Sequence, residues 1–377
     1  MSNIAARRTA MPQSTKENNK RYKPSSGADV ALSKLRKLTG THLIHTSSLI
    51  HLNKQAPTKN DQVHGETPAI TEAPGKENKS EHKKITAQES RLIKTAAEIA
   101  MERPDDDDRA YMHSIMCQVG LPRSKVEGNS FERVSGAAAL LIEAGKLWDG
   151  KRFVQQSIPY GPMPRLILAW MNTYAVRCNT PVIPIGDSAS EFLKILGKTP
   201  NGGVRGAFTT FKKQIQALSA CRMTLGFNTN GHAHTYEGKP IKHFDAWLSG
   251  KEEQRPLWPG TVTFSDDYYQ TLKLHAVPLD LRAYMELKSS ALAMDVYIWA
   301  AQRLYRIEGR PVVLYWSNLR NQFGQEYTGK EADKNFKKKF LPALRAMLAV
   351  YPEARIKQVT GGIMLIASPP PIPFKPS

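Results

Sequence analysis

Apolar residues recur at helical spacing along residues 205–219, and polar residues occupy the opposite side. At about 100° per residue, one stripe consists of Phe208, Phe211, Ile215 and Leu218. The other stripe consists of Arg205, Thr209, Lys212, Lys213 and Gln216. Arg and Lys reach phosphates or guanine edges, Gln bonds adenine, and Thr contacts thymine methyl groups. The pattern therefore predicts an amphipathic helix with one core face and one face suited to duplex DNA.

A shorter helix is predicted directly before this segment. Ser188 and Glu191 have the spacing of a capping box, and the apolar run that follows ends at Gly197. Residues 198–203 (KTPNGG) then have the composition of a turn. The order of helix, turn and basic helix predicts a helix-turn-helix. A solvated basic helix face with no DNA partner is the alternative explanation.

The same order of elements occurs twice. In the first copy we predict an apolar helix at 164–178, a strand at 182–185, a capped helix at 188–196 and the basic helix at 205–219, followed by two strands around Asn230-Gly231. In the second copy the apolar helix is predicted at 290–307, the strand at 312–316, the capped helix at 317–323 and the basic helix at 332–351, followed by two strands around Gly361-Gly362. The first helix begins 41 residues before the basic helix in one copy and 42 in the other. This order predicts two winged-helix units in which the hairpin is the wing.

The second basic helix has its own core stripe and its own cations. Phe336, Phe340, Leu344, Met347 and Tyr351 form the apolar stripe. Lys334, Lys338 and Arg345 cluster opposite, and Lys337 flanks them, so these four join the first helix's polar face as candidate DNA-binding residues. Pro342 lies inside this helix and is expected to bend or split it, because an internal proline costs about 3 kcal/mol.

The remaining segments are predicted as follows. Residues 1–85 are polar and nearly lack aromatic residues, which indicates disorder. Helices are predicted at 86–103, where Thr86 and Glu89 have capping-box spacing, at 110–119 and at 135–145, with a hairpin turn at Asp149-Gly150. A polar connection at 248–259 precedes residues 260–274, which begin the second unit, and 369–377 is an extended tail. The predicted fold class is α+β, with a disordered 1–85, a first winged-helix domain with a helical and hairpin layer at 86–250, and a second at 260–377.

The charge balance favours a polyanionic partner. Lys and Arg number 53 against 34 Asp and Glu, which leaves a formal charge of +19. Nucleic acid is the first expectation, and an anionic membrane surface is the second. The three cysteines lack zinc or disulfide spacing, and no signal peptide or membrane span is evident, so a cytoplasmic protein is expected. Neither the histidines at 42, 45 and 51 nor the acidic run 105–108 is expected to bind metal.

Several ordered stretches resemble the RepA family of plasmid-encoded replication initiators. They are IPYGPMPRLILAW, GDSASEFLKILG, ACRMTLG, LWPGTVTFS, HAVPLDLRAYMELKSSALAMDVYIW, NLRNQFGQEY, LAVYPEARI and SPPP, within 112–371. The resemblance implies a protein of winged-helix units that binds repeated sites in double-stranded origin DNA. It also implies help in melting the origin, recruitment of a host initiator ATPase and replicative helicase, and self-repression as a homodimer in some relatives.

Two other classes of function are open to the sequence. A rolling-circle or relaxase-type nickase would use His232 and His234 for a metal and Tyr268 or Tyr269 as nucleophile, although the histidines follow a turn and lack a third ligand. A transcriptional regulator would share the DNA-reading faces. No GxxxxGK[ST] motif is present. We therefore expect no enzymatic activity, no catalytic residues, no cofactor and no metal.

Overall fold

Helices and antiparallel strands alternate along the residues that the computed structural model describes, which are 86–184, 189–203, 206–229, 232–243 and 261–373. The segments predicted as a disordered N-terminus and as a polar connection at 248–259 lie outside the described residues, as does Arg205. The mixed helix and sheet class is confirmed. The tandem winged-helix arrangement is a more specific claim than this class, and it stays a prediction.

The helices are α1 (Ala87–Met101), α2 (Ser114–Gln118), α3 (Pro162–Arg177), α4 (Ala189–Ile195), α5 (Ala207–Ala220), α6 (Asp266–His275), α7 (Leu281–Glu286), α8 (Ala291–Arg303), α9 (Trp316–Phe323) and α10 (Ala332–Val350). Short 3-10 helices follow α7 and α8, at Leu287–Ser289 and Leu304–Arg306.

The strands are β1 (Arg109–His113), β2 (Ser130–Ser135), β3 (Ala138–Glu143), β4 (Lys146–Trp148), β5 (Phe153–Gln155), β6 (Val182–Pro184), β7 (Arg222–Thr229), β8 (His232–Gly238), β9 (Ile241–His243), β10 (Thr261–Phe264), β11 (Ala276–Asp280), β12 (Val312–Tyr315), β13 (Arg355–Val359) and β14 (Gly362–Ile366).

One strand order occurs in both halves of the described chain. In the second half β12 pairs with β14, and β14 pairs with β13, so the spatial order is first, third, second. In the first half β6 pairs with β10, and β10 pairs with β9, which is the same order. In each half this sheet is formed by one strand that follows a long apolar helix and by two strands that follow the basic helix.

The first half departs from the sequence prediction in the hairpin that completes it. The strands around Asn230-Gly231 exist as β7 and β8, but they extend β2 and β3 into a four-stranded sheet and do not pair with β6. Residues 261–264, predicted to open the second unit, are β10 and complete the first sheet. The division of the chain into domains stays a prediction. Among the described strands, β10 pairs with those of the first unit and not with those of the second.

Strands β1 and β11 join the two halves. They pair antiparallel, with Tyr111 opposite Pro278 at the centre. On either side of this pair, Ala110 lies opposite Leu279 and Met112 lies opposite Val277. The two strands have the same order of buried and half-buried residues. Each ends in a residue whose side chain caps the next helix, His113 for α2 and Asp280 for α7. The β1–β11 pair, which joins the two halves, therefore has a local twofold axis of its own.

Two predicted helices are wrong. Residues 110–119 are divided between β1 and the five-residue α2, and residues 135–145 are the turn and second strand of the β2–β3 hairpin. The run AALLIE has helix-forming residues, but its buried residues alternate along the strand, as Ala138, Leu140 and Ile142. Pairing with β2 on one side and β7 on the other decides the outcome over local propensity.

Candidate nucleic-acid interface

An aromatic triplet holds the same three helices together in each half. Trp170 of α3 meets Phe192 of α4 edge-on, and Phe192 packs on Phe211 of α5 at a centroid distance of 5.5 Å. In the second half the corresponding contacts join Trp299 of α8, Phe323 of α9 and Phe340 of α10, the last pair at 5.6 Å.

The spacing of these triplets supplies an alignment of the two halves. The Trp and the last Phe are 41 residues apart in both halves, and each of these two positions lies 129 residues from its equivalent, whereas the middle Phe residues lie 131 apart. On this alignment Arg205, Thr209 and Gln216 correspond to Lys334, Lys338 and Arg345. The two basic helices therefore have equivalent aromatic supports, whereas Lys212 and Lys213 of the first align with Leu341 and Pro342 of the second.

The turn into α5 is fixed by backbone contacts. α4 ends at Ile195, and two residues later Gly197 has a φ of +62°, which suits a residue without a side chain. Asn201 Oδ1 accepts from the Ala207 backbone N–H at 2.6 Å, which satisfies one free donor of the first helical turn. A Cβ on Gly206 would lie 2.3 Å from the Gly202 carbonyl oxygen, so this bend excludes any larger residue without rearrangement. The helix begins at Ala207, two residues later than the sequence pattern predicts.

The predicted polar face of α5 is partly exposed. Lys213 is exposed, Lys212 and Gln216 are half-buried, and Arg205 lies outside the described residues. Thr209 is half-buried, and its hydroxyl donates to the Gly203 carbonyl at 2.7 Å, so this hydroxyl helps to hold the preceding turn. Phe211, Ile215 and Leu218 are fully buried on the other side, as predicted.

Phe208 was predicted as a core residue, and that prediction is wrong. Its side chain is 38% exposed at the start of α5. The aligned residue in α10 is Lys337, which also lies toward the outside, over the ring of Trp316 at 4.9 Å. The buried apolar stripe of α5 therefore begins at Phe211, and Phe208, in the first turn, is an exposed aromatic residue.

α10 presents a longer basic surface than α5. Lys334, Lys338 and Arg345 are exposed, and Lys337 is half-buried against Trp316. Lys334 pairs with Glu331 at 2.7 Å, but both side chains are well exposed and the pair contributes little. The whole apolar stripe is buried, from Phe336 to Tyr351. α10 continues through the exposed Pro342 without a break, so the predicted split of this helix does not occur.

The turn between α9 and α10 is held by one arginine. The Arg320 guanidinium donates to the Tyr327 carbonyl and pairs with the Asp333 carboxylate in the first turn of α10. A Cβ on Gly324 would lie 2.4 Å from the Phe336 ring, so the chain here must pack directly on that ring. These contacts set the direction in which α10 leaves α9.

Two further cations belong to this surface and were outside the predicted set. Lys330 lies just before α10 and Lys339 lies within it, and both are exposed. The signal for Lys339 was the run KKK at 337–339, which is visible in the sequence. Lys330 lies in a turn, so helical spacing gives no indication that its side chain is exposed.

The tyrosines that the nickase alternative requires are buried and hydrogen-bonded. The Tyr268 hydroxyl donates to Asn172 Oδ1 at 3.1 Å, and the Tyr269 hydroxyl donates to Asn179 Oδ1 at 3.0 Å. Burial raises the pKa of Tyr268 above its ordinary value, which opposes its ionisation as a nucleophile. The side chains of the two histidines at 232 and 234 lie outside the described residues.

The acidic run 105–108 is used within the protein. Asp105 Oδ1 accepts from the backbone N–H groups of Asp107 and Asp108, and the Asp108 carboxylate pairs with Arg282 at 3.3 Å. Burial raises the pKa of Asp108. Among the described residues, no group of three His, Cys, Asp or Glu side chains is arranged to hold a metal ion.

The expectation of an anionic membrane surface as second partner stays a prediction, because the length of the helices bears only on crossing a bilayer. Of the helices described, none is long and apolar enough to cross a bilayer. The most completely buried, α8, has 13 residues, whereas a membrane span requires about 20.

One family of known proteins matches part of this chain. No curated protein matches this chain. The family described as plasmid encoded RepA protein matches residues 158–317, a range that contains α3 to α8 and β6 to β12. The match includes the predicted helix-turn-helix of the first half and ends before α10. Over residues 158–317 the chain is therefore similar to the plasmid-encoded RepA proteins, which confirms the resemblance seen in its sequence.

Proposed function

We propose that this protein is a plasmid replication initiator that binds repeated double-stranded sites at an origin through α5 and α10. The two helices act as recognition helices of tandem winged-helix units. The proposal includes no enzymatic activity and no cofactor. The proposal also includes origin opening and recruitment of a host initiator ATPase and replicative helicase, which the resemblance to the RepA family implies.

The repeated architecture supports the two units. Each half has the order helix, strand, helix, basic helix and then two strands that join the first strand in the order first, third, second; in the first half β7 and β8 are inserted before those two strands. This is the order of a winged helix. In the first unit the paired strands β9 and β10 take the place of the wing strands, and in the second β13 and β14 do.

The charges support DNA as the ligand. Exposed Lys213 on α5 and exposed Lys338 and Arg345 on α10 lie on faces opposite the buried stripes. Phosphate contacts from such side chains would supply most of the affinity, and amide or guanidinium groups would read base edges. Gln216 and Arg345 occupy aligned positions but have different chemistry, so the two units would prefer different bases.

The observation that carries the proposal is the alignment of the two aromatic triplets, because it places one cation-bearing helix on the same support twice, with the first copy inside the matched family segment. The test is footprinting on the DNA that flanks the gene. Repeated protected sites at regular spacing are expected. A random duplex of equal length and composition serves as control, and equal protection of both would overturn sequence-specific binding.

A transcriptional regulator would also give a footprint. A plasmid that carries only the protected repeats separates the two functions, because its maintenance should require the protein supplied from elsewhere. Normal maintenance of that plasmid without the protein would exclude the initiator and leave the regulator.

A further inference from the structure

The β4–β5 hairpin carries two aromatic rings that are half or more exposed to solvent. Trp148 and Phe153 face each other across the two strands, with ring centroids 5.2 Å apart. Trp148 is 50% exposed and Phe153 is 67% exposed. The next pair along the two strands, Leu147 and Val154, is half-buried on the other face of the hairpin. The outer face therefore presents two flat apolar rings side by side to solvent.

The residues around these rings are cationic. Lys146, Lys151 and Arg152 are exposed, and Asp149 is the one acidic residue in the ten-residue segment 146–155. Asp149 accepts from the backbone N–H groups of Lys151 and Arg152 at 2.9 and 2.8 Å, so it builds the turn. Its ion pair with Arg152 spans 3.9 Å between exposed groups and leaves that guanidinium accessible. The hairpin thus combines stacking surfaces with positive charge.

The base of the hairpin is attached to the end of α5. Gln155 Nε2 donates to the carbonyls of Ala144 and Gly145, and the Gln156 N–H donates to the Gly145 carbonyl. A Cβ on Gly145 would lie 1.9 Å from the carbonyl oxygen of Ala220, the last residue of α5. The rings therefore belong to the same unit as the first proposed recognition helix.

We propose that the β4–β5 hairpin binds single-stranded DNA by stacking unpaired bases on Trp148 and Phe153. Aromatic rings flanked by cations bind single strands, because every base has a flat face and every nucleotide has a phosphate. In a duplex the base faces are already stacked, so an exposed ring pair gains less there. The inference rests on the proposed function, since opening of an origin supplies the unpaired strand next to the bound duplex.

The test uses the full chain and two fluorescent ligands, an oligothymidine of about 20 nucleotides and the footprinted duplex. Trp148→Leu combined with Phe153→Leu keeps apolar side chains at both exposed positions and removes the rings. This variant should bind oligothymidine at least about tenfold more weakly, given about 1–3 kcal/mol per stacked base, with duplex affinity changed less than about twofold. Trp148→Phe retains a ring and should preserve most of the affinity.

Two comparisons isolate the rings and the charges. Tyr315→Leu removes a ring that is 59% exposed on β12, outside the hairpin, and should leave oligothymidine binding unchanged. Lys151→Ala with Arg152→Ala should reduce the slope of log affinity against log salt concentration by about 1.4, at about 0.7 for each single-strand phosphate that is no longer neutralised.

Three results would overturn the inference. They are no oligothymidine binding by the unaltered protein, no loss of it in the double Leu variant, or an equal loss for duplex and oligothymidine, which would make the hairpin a duplex contact. If the variant lost binding only to vesicles containing phosphatidylserine, the hairpin would be a membrane contact. Absence of footprinted repeats would refute the initiator proposal alone, because the oligothymidine measurement does not depend on it.

Discussion

Arg165 of α3 and Asp295 of α8 form a buried bidentate ion pair between the two halves of the protein. Arg165 Nε and an Nη donate to the two carboxylate oxygens at 2.7 and 2.8 Å. The remaining guanidinium donors bond the carbonyls of Leu121, Pro122 and Gly161. All five donors of the guanidinium are thereby used, and the side chains of both partners are about 95% or more buried. The pair fixes α3 against α8 with defined geometry.

Removing one partner should strongly destabilise the protein. Asp295→Asn leaves the Arg165 charge buried without its counterion, and we expect the free energy of unfolding to fall by about 3–5 kcal/mol. Urea denaturation of the full chain measures this loss. Arg345→Ala, which removes an exposed cation, is the matched control and should change stability by less than about 0.5 kcal/mol.

Replacing both partners separates the cost of an unpaired charge from the value of the pair. Arg165→Met with Asp295→Leu should recover much of the stability lost in Asp295→Asn, because no charge is then left buried alone. A loss below about 1 kcal/mol in Asp295→Asn would show that water reaches the site and that the guanidinium is not held as described.

Protonation of His113 should destabilise the fold in mild acid. Burial, and to a lesser degree the neighbouring His275, lowers the pKa of His113 to about 4 from its ordinary 6.5. Nδ1 accepts from the Ile115 N–H as the cap of α2, and the ring stacks on Tyr268. Because the folded pKa is the lower one, the unfolded chain binds more protons between these values. Stability is therefore full above about pH 6.5 and is lost as the pH falls toward 4, by roughly 3 kcal/mol.

The measurement is urea denaturation as a function of pH. His113→Asn keeps a residue that can cap α2 and removes the titrating group, so the difference between the variant and the unaltered protein should shrink as the pH falls. A constant difference from pH 7 to pH 4 would mean that His113 does not carry the effect.

The cations of the two basic helices should account for part of the salt dependence of duplex binding. Replacing Lys212 and Lys213 by Ala should weaken binding to all sequences and flatten the log–log salt slope by about 0.9 for each phosphate that these amino groups neutralise. Lys338→Ala should do the same for α10. Lys94→Ala on α1 is the control, because Lys94 is an exposed cation on a different helix. An unchanged slope would place these amino groups away from the phosphates.

Gln216 and Arg345 should affect base preference more than overall affinity. They occupy aligned positions, so Gln216→Ala and Arg345→Ala should each relax selection at one part of the site, by about 1–3 kcal/mol for a bidentate pair removed from a base edge. Selection of binding sites from a randomised pool, compared with affinity for random duplex, measures this. Equal losses on specific and random DNA would contradict base reading by these two side chains.

Local periodicity was sufficient to predict α3, α5, α8 and α10 and the hairpins at Asp149-Gly150 and Gly361-Gly362. These elements are specified by neighbours a few residues apart. The pairing of β6 with β10 is different, because the two strands are far apart in sequence and either could match other short apolar runs.

The site was predictable in its helices but not in its details. The positions of Lys213, Lys338 and Arg345 on exposed surfaces follow from helical spacing. The exposure of Phe208 does not, because it depends on where the core ends near the turn. The ion pair of Arg165 with Asp295 joins residues 130 apart, and no sequence pattern indicates which buried cation meets which carboxylate.

The antiparallel pairing of β1 with β11 has a consequence for the shape of a DNA site. Proteins that present two recognition helices about a dyad usually obtain that dyad by associating two identical chains. Here β1 and β11, one from each half of a single chain, pair about a local twofold axis of their own, and the aligned residues Gln216 and Arg345 on the two basic helices differ in chemistry. If the proposed recognition helices follow that same axis, a single molecule would suit a DNA site whose two arms form an imperfect palindrome, and the site would then have a fixed polarity.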